Sequence, residues 1–266
     1  MATALQAAGH RVNLVSGRSW AAELAAKTDA PTHLFLAVLD PAIGEMASAI
    51  AGSSDVDRRA AIVHLSGPMG LDVLEPARAA GHPVGSFHPF QSFPVERPPE
   101  AFRGSLIGID ASTPQLYGQL EALAQEMGGI PRRVPDESRT LYHAAAVLSS
   151  NLLIALSSRA AGVLETVGFD RDEALAAIVP LMKGVVANLE TLGLPEALIG
   201  PIRRGDPATV RRHLEALEAS GNRDAAAVYR ILGLAALDLA LEAGLEAGPG
   251  DQIRKALTAS PAATRR

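Results

Sequence analysis

Cysteine is absent from the 266 residues, which excludes disulfides, thiolate catalysis and cysteine-ligated zinc, and is compatible with a reducing compartment. An excess of positive charge is also absent. The formal net charge is -5, so neither nucleic acid nor an anionic membrane surface is expected as a partner. Aromatic residues are only 4% and charged residues 20%, against 48% hydrophobic, the profile of a helix-rich globular protein. Long hydrophobic runs are missing as well: the most apolar stretch, Ala144 to Leu156, is about 13 residues long and is broken by Ser149, Ser150 and Asn151, too short and too polar to span a bilayer. Met1 opens directly into an Ala-rich segment without a basic start or a sustained apolar core, so no secretory signal is read and a cytoplasmic protein is expected.

What is present is an alternation. Arg11 to Val15, His33 to Val38, Ala61 to Leu65, Pro83 to Phe87 and Ser105 to Ile109 read as short strands, apolar on both sides. Ala21 to Lys27, Pro41 to Ala51, Leu71 to Ala80 and Pro114 to Met127 read as the helices between them. This predicts an α/β parallel sheet of Rossmann type with helices on both faces. Gly128-Gly129 and the prolines at 131 and 135 end the alternation, giving a first domain over residues 1–135 and an all-α second domain over residues 136–266. In the second domain one long helix is predicted over Ser138 to Val167. It is apolar on nearly every side, which calls for burial among helices or across a subunit interface. Further helices are predicted over Asp172 to Leu192, Ala208 to Ala219 and Arg223 to Ala243, with a weak one after Gly248.

One element of a Rossmann fold is not in the sequence: an opening strand followed by G-x-G-x-x-G, whose glycines let the backbone approach a pyrophosphate. Ala2 to Arg11 reads instead as the end of a first helix leading into a second strand, which predicts that the encoded start lies roughly 15 to 20 residues upstream, about one strand and a glycine turn. The other reading is real loss of cofactor binding. The second strand ends in Ser16-Gly17-Arg18-Ser19, where an NAD enzyme carries an acidic residue; an Arg among hydroxyls suits a 2'-phosphate and so NADP over NAD, while a helix cap by Ser19 remains the plainer alternative. Val38 and Asp40 stand at the next strand end, Asp40 as a ligand contact or as an N-cap before Pro41.

Two polar clusters follow at consecutive strand ends, His64-Leu65-Ser66-Gly67-Pro68 and Ser86-Phe87-His88-Pro89 with Phe90 to Phe93. Parallel strands deliver these ends to one crevice, where hydroxyls and imidazoles can bind a carboxylate or relay a proton. Without a carboxylate at ligand spacing no metal is expected. A third cluster, Tyr142-His143 and Ser149-Ser150-Asn151, sits in the long helix. At 100° per residue His143 and Ser150 lie about 20° apart, and Asn151 about 80° from His143, so the three can face one pocket. Hydrogen bonding inside a helical core is the alternative.

The ordered series His64-x-Ser66-Gly67, Ser86-x-His88-Pro89, Tyr142-His143-Ala144-Ala145-Ala146, Ser150-Asn151, Gly200-Pro201-Ile202-x-Arg204-Gly205-Asp206 and His213-Leu214 resembles the Rossmann-like proteins that carry a C-terminal domain of unknown function 2520. That family is similar in architecture to pyrroline-5-carboxylate reductase and 6-phosphogluconate dehydrogenase. The resemblance implies an NADP-dependent oxidoreductase acting on a small oxo or imino acid, and a homodimer built by the helical half. On this reading His143 and Asn151 are catalytic, Ser66, Gly67, His88 and Ser150 meet the substrate, and Ser16, Arg18, Ser19, Val38 and Asp40 meet the cofactor. The alternative is a ligand-binding or assembly protein that keeps the fold without turnover.

Overall fold

A computed structural model describes residues 1–15, 19–26, 30–95 and 97–259. The chain divides into two compact units, Met1–Ser150 and Asn151–Arg266. The helix that follows the sheet is tied to it by Arg139 and Tyr142 and belongs to the first unit.

The first unit is a five-stranded sheet in the order β1 (His33–Leu36), β2 (Ala61–His64), β3 (Val84–Pro89), β4 (Leu106–Ala111), β5 (Ile130–Arg133). β1, β2 and β3 run parallel, β4 runs antiparallel to β3, and β5 runs parallel to β4, so the sheet is mostly but not wholly parallel. Its helices are α1 (Ala2–Ala7), α2 (Trp20–Ala25), α3 (Ile43–Ala51), α4 (Glu75–Ala79), α5 (Pro114–Glu126) and α6 (Arg139–Ser149). Side chains alternate across each strand, so Val63, Phe87, Ile107 and Ile109 pack on α5 through Leu116 and Leu120. Ile62 and Val84 pack on the other face against Ile43, Ala47 and Ile50 of α3. Helices on both faces of a twisted open sheet make this a Rossmann-like fold.

Three expectations are corrected. Arg11 to Val15 is irregular, because among the described residues no strand pairs with it or with the outer side of β1, and a lone apolar segment has no ladder to join. Ile130–Arg133 is a strand although Pro131 suggested a break; it lies at the sheet edge, where a missing N–H is tolerated, and Gly128 makes the preceding turn at φ 79°. The long helix is interrupted at Ser150 (φ −125°, ψ −79°), so α7 starts anew at Asn151 and runs to Glu165. Ser149 and Ser150 donate back to the carbonyls of Ala145 and Ala146 at 2.9 and 2.6 Å, a pattern that bends helices.

The second unit is helical: α7, α8 (Arg171–Leu192), α9 (Pro207–Ala219), α10 (Arg223–Glu242) and α11 (Ala247–Thr258). Asp170 and Glu173 form a reciprocal capping box at the start of α8, and Asp206 caps α9 through Thr209. Val210, Leu214, Leu237, Ile253 and Leu257 form the main core of this unit. By contrast, α7 and α8 bury little beyond Ala161, Ala174 and Ile178.

Candidate active site at the carboxyl ends of β2 and β3

His64 and Ser86 face each other in register, so the loops after β2 and β3 leave the sheet side by side. The His64 ring is completely buried. Its Nδ1 accepts from the Ser66 backbone at 3.2 Å and its Nε2 donates to the Gly70 carbonyl at 3.1 Å, which requires the neutral Nε2–H tautomer. Burial, and secondarily the Arg139 guanidinium, push its pKa down to about 4. The Ser66 hydroxyl accepts from the Met69 backbone at 3.4 Å, so Ser66 shapes the loop.

Over this edge lies α6, which presents Arg139, Tyr142 and His143 on one face because they are spaced i, i+3, i+4. Arg139 is fully buried and donates through Nη2 to the Ser86 hydroxyl, which also takes the Asp110 backbone N–H at 3.1 Å. Tyr142 donates to the His88 carbonyl at 3.2 Å, with its oxygen 3.0 Å from His88 Nδ1. With the phenol hydrogen on the carbonyl, Nδ1 carries the imidazole proton and Nε2 is left as an acceptor. Burial, then the charges of His143 and Arg139, push the His88 pKa down to about 4, and burial pushes the Tyr142 phenol up to about 12.

Glycines seat this helix. A Cβ on Gly67 would lie 2.5 Å from His143 Cδ2 and 2.8 Å from His88 Nε2. On Gly108, which pairs with His88, it would lie 2.8 Å from the Tyr142 oxygen, and on Gly70 2.6 Å from the Asp136 carboxyl carbon. The His88 and His143 rings meet edge to face, centroids 6.1 Å apart. Gly67, His88 and His143 are therefore brought together, with His64 and Ser66 in the adjoining loop.

The remaining candidates are distributed differently. Ser16 and Arg18 lie outside the described residues. Ser19 stands at the N-cap of α2, where its hydroxyl donates to Glu23, and Val38 packs on the core between β1 and α3. Asp40 is not a cap, because Leu39 holds that place; its charge acts on both His64 and His88, opposing the lowering of their pKa values. Ser150 is half-buried and bonded to Ala146, and Asn151 opens α7 in the second unit. The interruption at Ser150 separates α6, which carries His143, from α7, which opens with Asn151. Sequence reading missed Arg139 and Asp136; the available signal was the position of Arg139 one turn before Tyr142 and His143 on the same face. Among the described residues no group of three or more His, Asp or Glu could hold a metal ion.

A cleft of about 550 Å³ runs beside the outer side of β1, lined by Leu5, Val12, Leu14, Trp20, Leu34 and Phe35 among others, with Val38 on its wall.

Residues 105–236, from β4 into α10, match the family described as Domain of unknown function (DUF2520). Among solved structures it is similar to a Bacteroides fragilis protein provisionally described as an NADP oxidoreductase, at 24% identity and TM-score 0.68 over 89% of this chain and 92% of that one. A Thermotoga maritima protein is similar at 23% identity and TM-score 0.60, over 88% and 81%. The pyrroline carboxylate reductase of Plasmodium falciparum with NADP bound is similar at 11% identity and TM-score 0.54, over 95% and 92%. No curated protein matches the chain. At these identities the likeness establishes the fold, a Rossmann-like sheet followed by a helical region.

Proposed function

We propose that the chain is an NADP-dependent oxidoreductase that acts on a small oxo or imino acid at the His88 and His143 crevice. The observation that carries the reading is the meeting of two imidazoles over Gly67 at the carboxyl edge of a Rossmann-like sheet, the edge where such sheets bind ligands. The NADP-bound reductase of the same fold supports it. In an enzyme of this class the nicotinamide supplies hydride, and the protein supplies one proton to the forming alkoxide or amine. His143 is the donor on this reading. His88, its Nδ1 side engaged by Tyr142, turns its acceptor Nε2 toward Gly67 and orients the substrate.

The residues present fit part of such a cofactor. Val38 and Asp40 stand at the expected strand end, but among the described residues no glycine-rich turn joins a strand to a helix to cradle a pyrophosphate. That observation favours the second reading, a binding or assembly protein without turnover. Titration with NADPH of this chain, and of the chain extended to the next in-frame start upstream, decides between them. Saturable NADPH binding by either supports the oxidoreductase, and binding by neither removes it.

The helical half is proposed to bury its exposed faces against a second copy of this chain. Within each of the segments Asp136–Glu165 and Arg171–Leu192 a stretch of 18 residues has mean hydropathy 1.4 and only 6% of it buried, so both are long and apolar enough to cross a membrane by length and composition. Ile154 and Leu181 are both 69% exposed, and Val185, Val186 and Leu192 are about half exposed. Apolar surface on this scale marks an interface. Lys183 and Glu190 within α8 favour a protein partner over hydrocarbon. The double variant Leu181→Asp, Val185→Asp is expected to sediment as a monomer where the natural chain sediments as a dimer. A monomeric natural chain, or one that floats with liposomes, would refute the homodimer.

A further inference from the structure

The crevice contains a buried cation whose hydrogen bonds are incomplete. Arg139 has no exposed surface, its Nη2 is used by Ser86, and its Nε and Nη1 have no hydrogen-bond partner. The facing carboxylate, Asp136, stands 3.8 Å from Nε, beyond hydrogen-bond distance, and its oxygens accept instead from the Leu71 backbone at 3.1 and 3.2 Å. Asp110, the other acid whose charge acts on Arg139, is 3.3 Å from Arg133. His64 and His88 are neutral at physiological pH and offer the guanidinium no compensating charge. An ion pair kept for stability alone closes at roughly 2.7 to 2.9 Å with its donors matched, because an unmatched buried donor is costly.

Asp136 is the solvent-facing member of the pair: its side chain is 47% exposed, while that of Arg139 has no exposure. That carboxylate rests on Gly70, where the missing Cβ leaves the room it occupies. We propose that Arg139 is the receptor for a carboxylate on the ligand, and that Asp136 is an internal placeholder which gives up its position when the ligand's carboxylate arrives to meet Nε and Nη1. The inference rests on the crevice being the ligand site, and it names the ligand class: a small organic acid whose carboxylate reaches the Ser86 end of the crevice while its reactive carbon lies toward His88 and His143.

The experiment uses the full chain, with pyruvate as probe and acetamide as a neutral control, read by calorimetry and by the imidazole resonances of His88 and His143. Pyruvate is expected to bind saturably and acetamide not. Asp136→Asn keeps an acceptor for the Leu71 N–H but removes the competing charge, and is expected to tighten pyruvate binding by roughly tenfold. Arg139→Met, checked for folding by circular dichroism, is expected to abolish it. A role for the pair in folding alone predicts no tightening in Asp136→Asn, and that result, or equal responses to pyruvate and acetamide, would overturn the proposal. If Arg139→Met does not fold, the Asp136→Asn arm decides. NADPH binding without a pyruvate response refutes this inference and leaves the proposed function standing, whereas a pyruvate response without NADPH binding does the reverse.

Discussion

The purified chain is expected to lose stability steadily as the pH falls from about 6.5 to 4, by roughly 3 kcal/mol from His64 alone. The folded-state pKa of His64, about 4, lies below the unfolded value of 6.5. Between these values the unfolded chain binds a proton that the folded chain refuses, so protonation favours unfolding and stability rises with pH across the window. The cause is structural: a second ring proton would have to sit on Nδ1, which already accepts from the Ser66 N–H, and would place a charge beside Arg139. His88, also held at about 4, acts in the same direction. Asp57, held at about 2 by Arg59, titrates below this window. Urea midpoints measured at half-unit steps of pH check the expectation, with His64→Gln as the comparison. A flat profile for the natural chain, or an equal slope in the variant, would show that His64 is not the responsible group.

His143→Gln is expected to lower turnover by roughly 10²- to 10⁴-fold, the usual contribution of general acid catalysis, with NADPH affinity nearly unchanged. His143 is half-buried on the face of α6 that meets Gly67, and none of its ring nitrogens is bonded to the backbone in the way that ties down His64. A ring that serves packing is replaced by glutamine at a cost in melting temperature, whereas a ring that gives a proton is replaced at a cost in rate. The measurement is NADPH oxidation with a panel of 2-oxo and cyclic imino acids, normalised to folded protein. A lowered melting point with turnover per folded molecule intact would remove the catalytic assignment.

Much of the architecture could be read in the residues because it follows from local pattern. β1 to β4, α3, α5 and α8 to α10 lie where apolar runs, caps and turns predict them. Failures came where a distant partner decides. Arg11 to Val15 has the composition of a strand but no neighbour to pair with, and the direction of β4 depends on what it pairs with rather than on what it contains. At the site, the clusters after β2 and β3 and the Tyr142-His143 pair were visible as polar residues in apolar surroundings. Arg139 was not, since an arginine near a helix start normally faces water, and only the docking of α6 on Ser86 makes it a buried cation. The long helix was misread for a local reason, the back-bonded serines at its interruption.

The seat of α6 at Gly67, Gly70 and Gly108 sets the direction in which this crevice can change over evolutionary time. A pocket cut by large side chains can be widened or narrowed by trimming or lengthening them, one methylene at a time. Here the space was obtained by omission, and every available replacement adds at least one carbon. Drift at these three positions therefore has a single outcome, displacement of the rings or the carboxylate that rest there. Under saturation mutagenesis they are the positions where small and large replacements should be rejected alike, while a buried leucine in the same unit still accepts methionine or isoleucine.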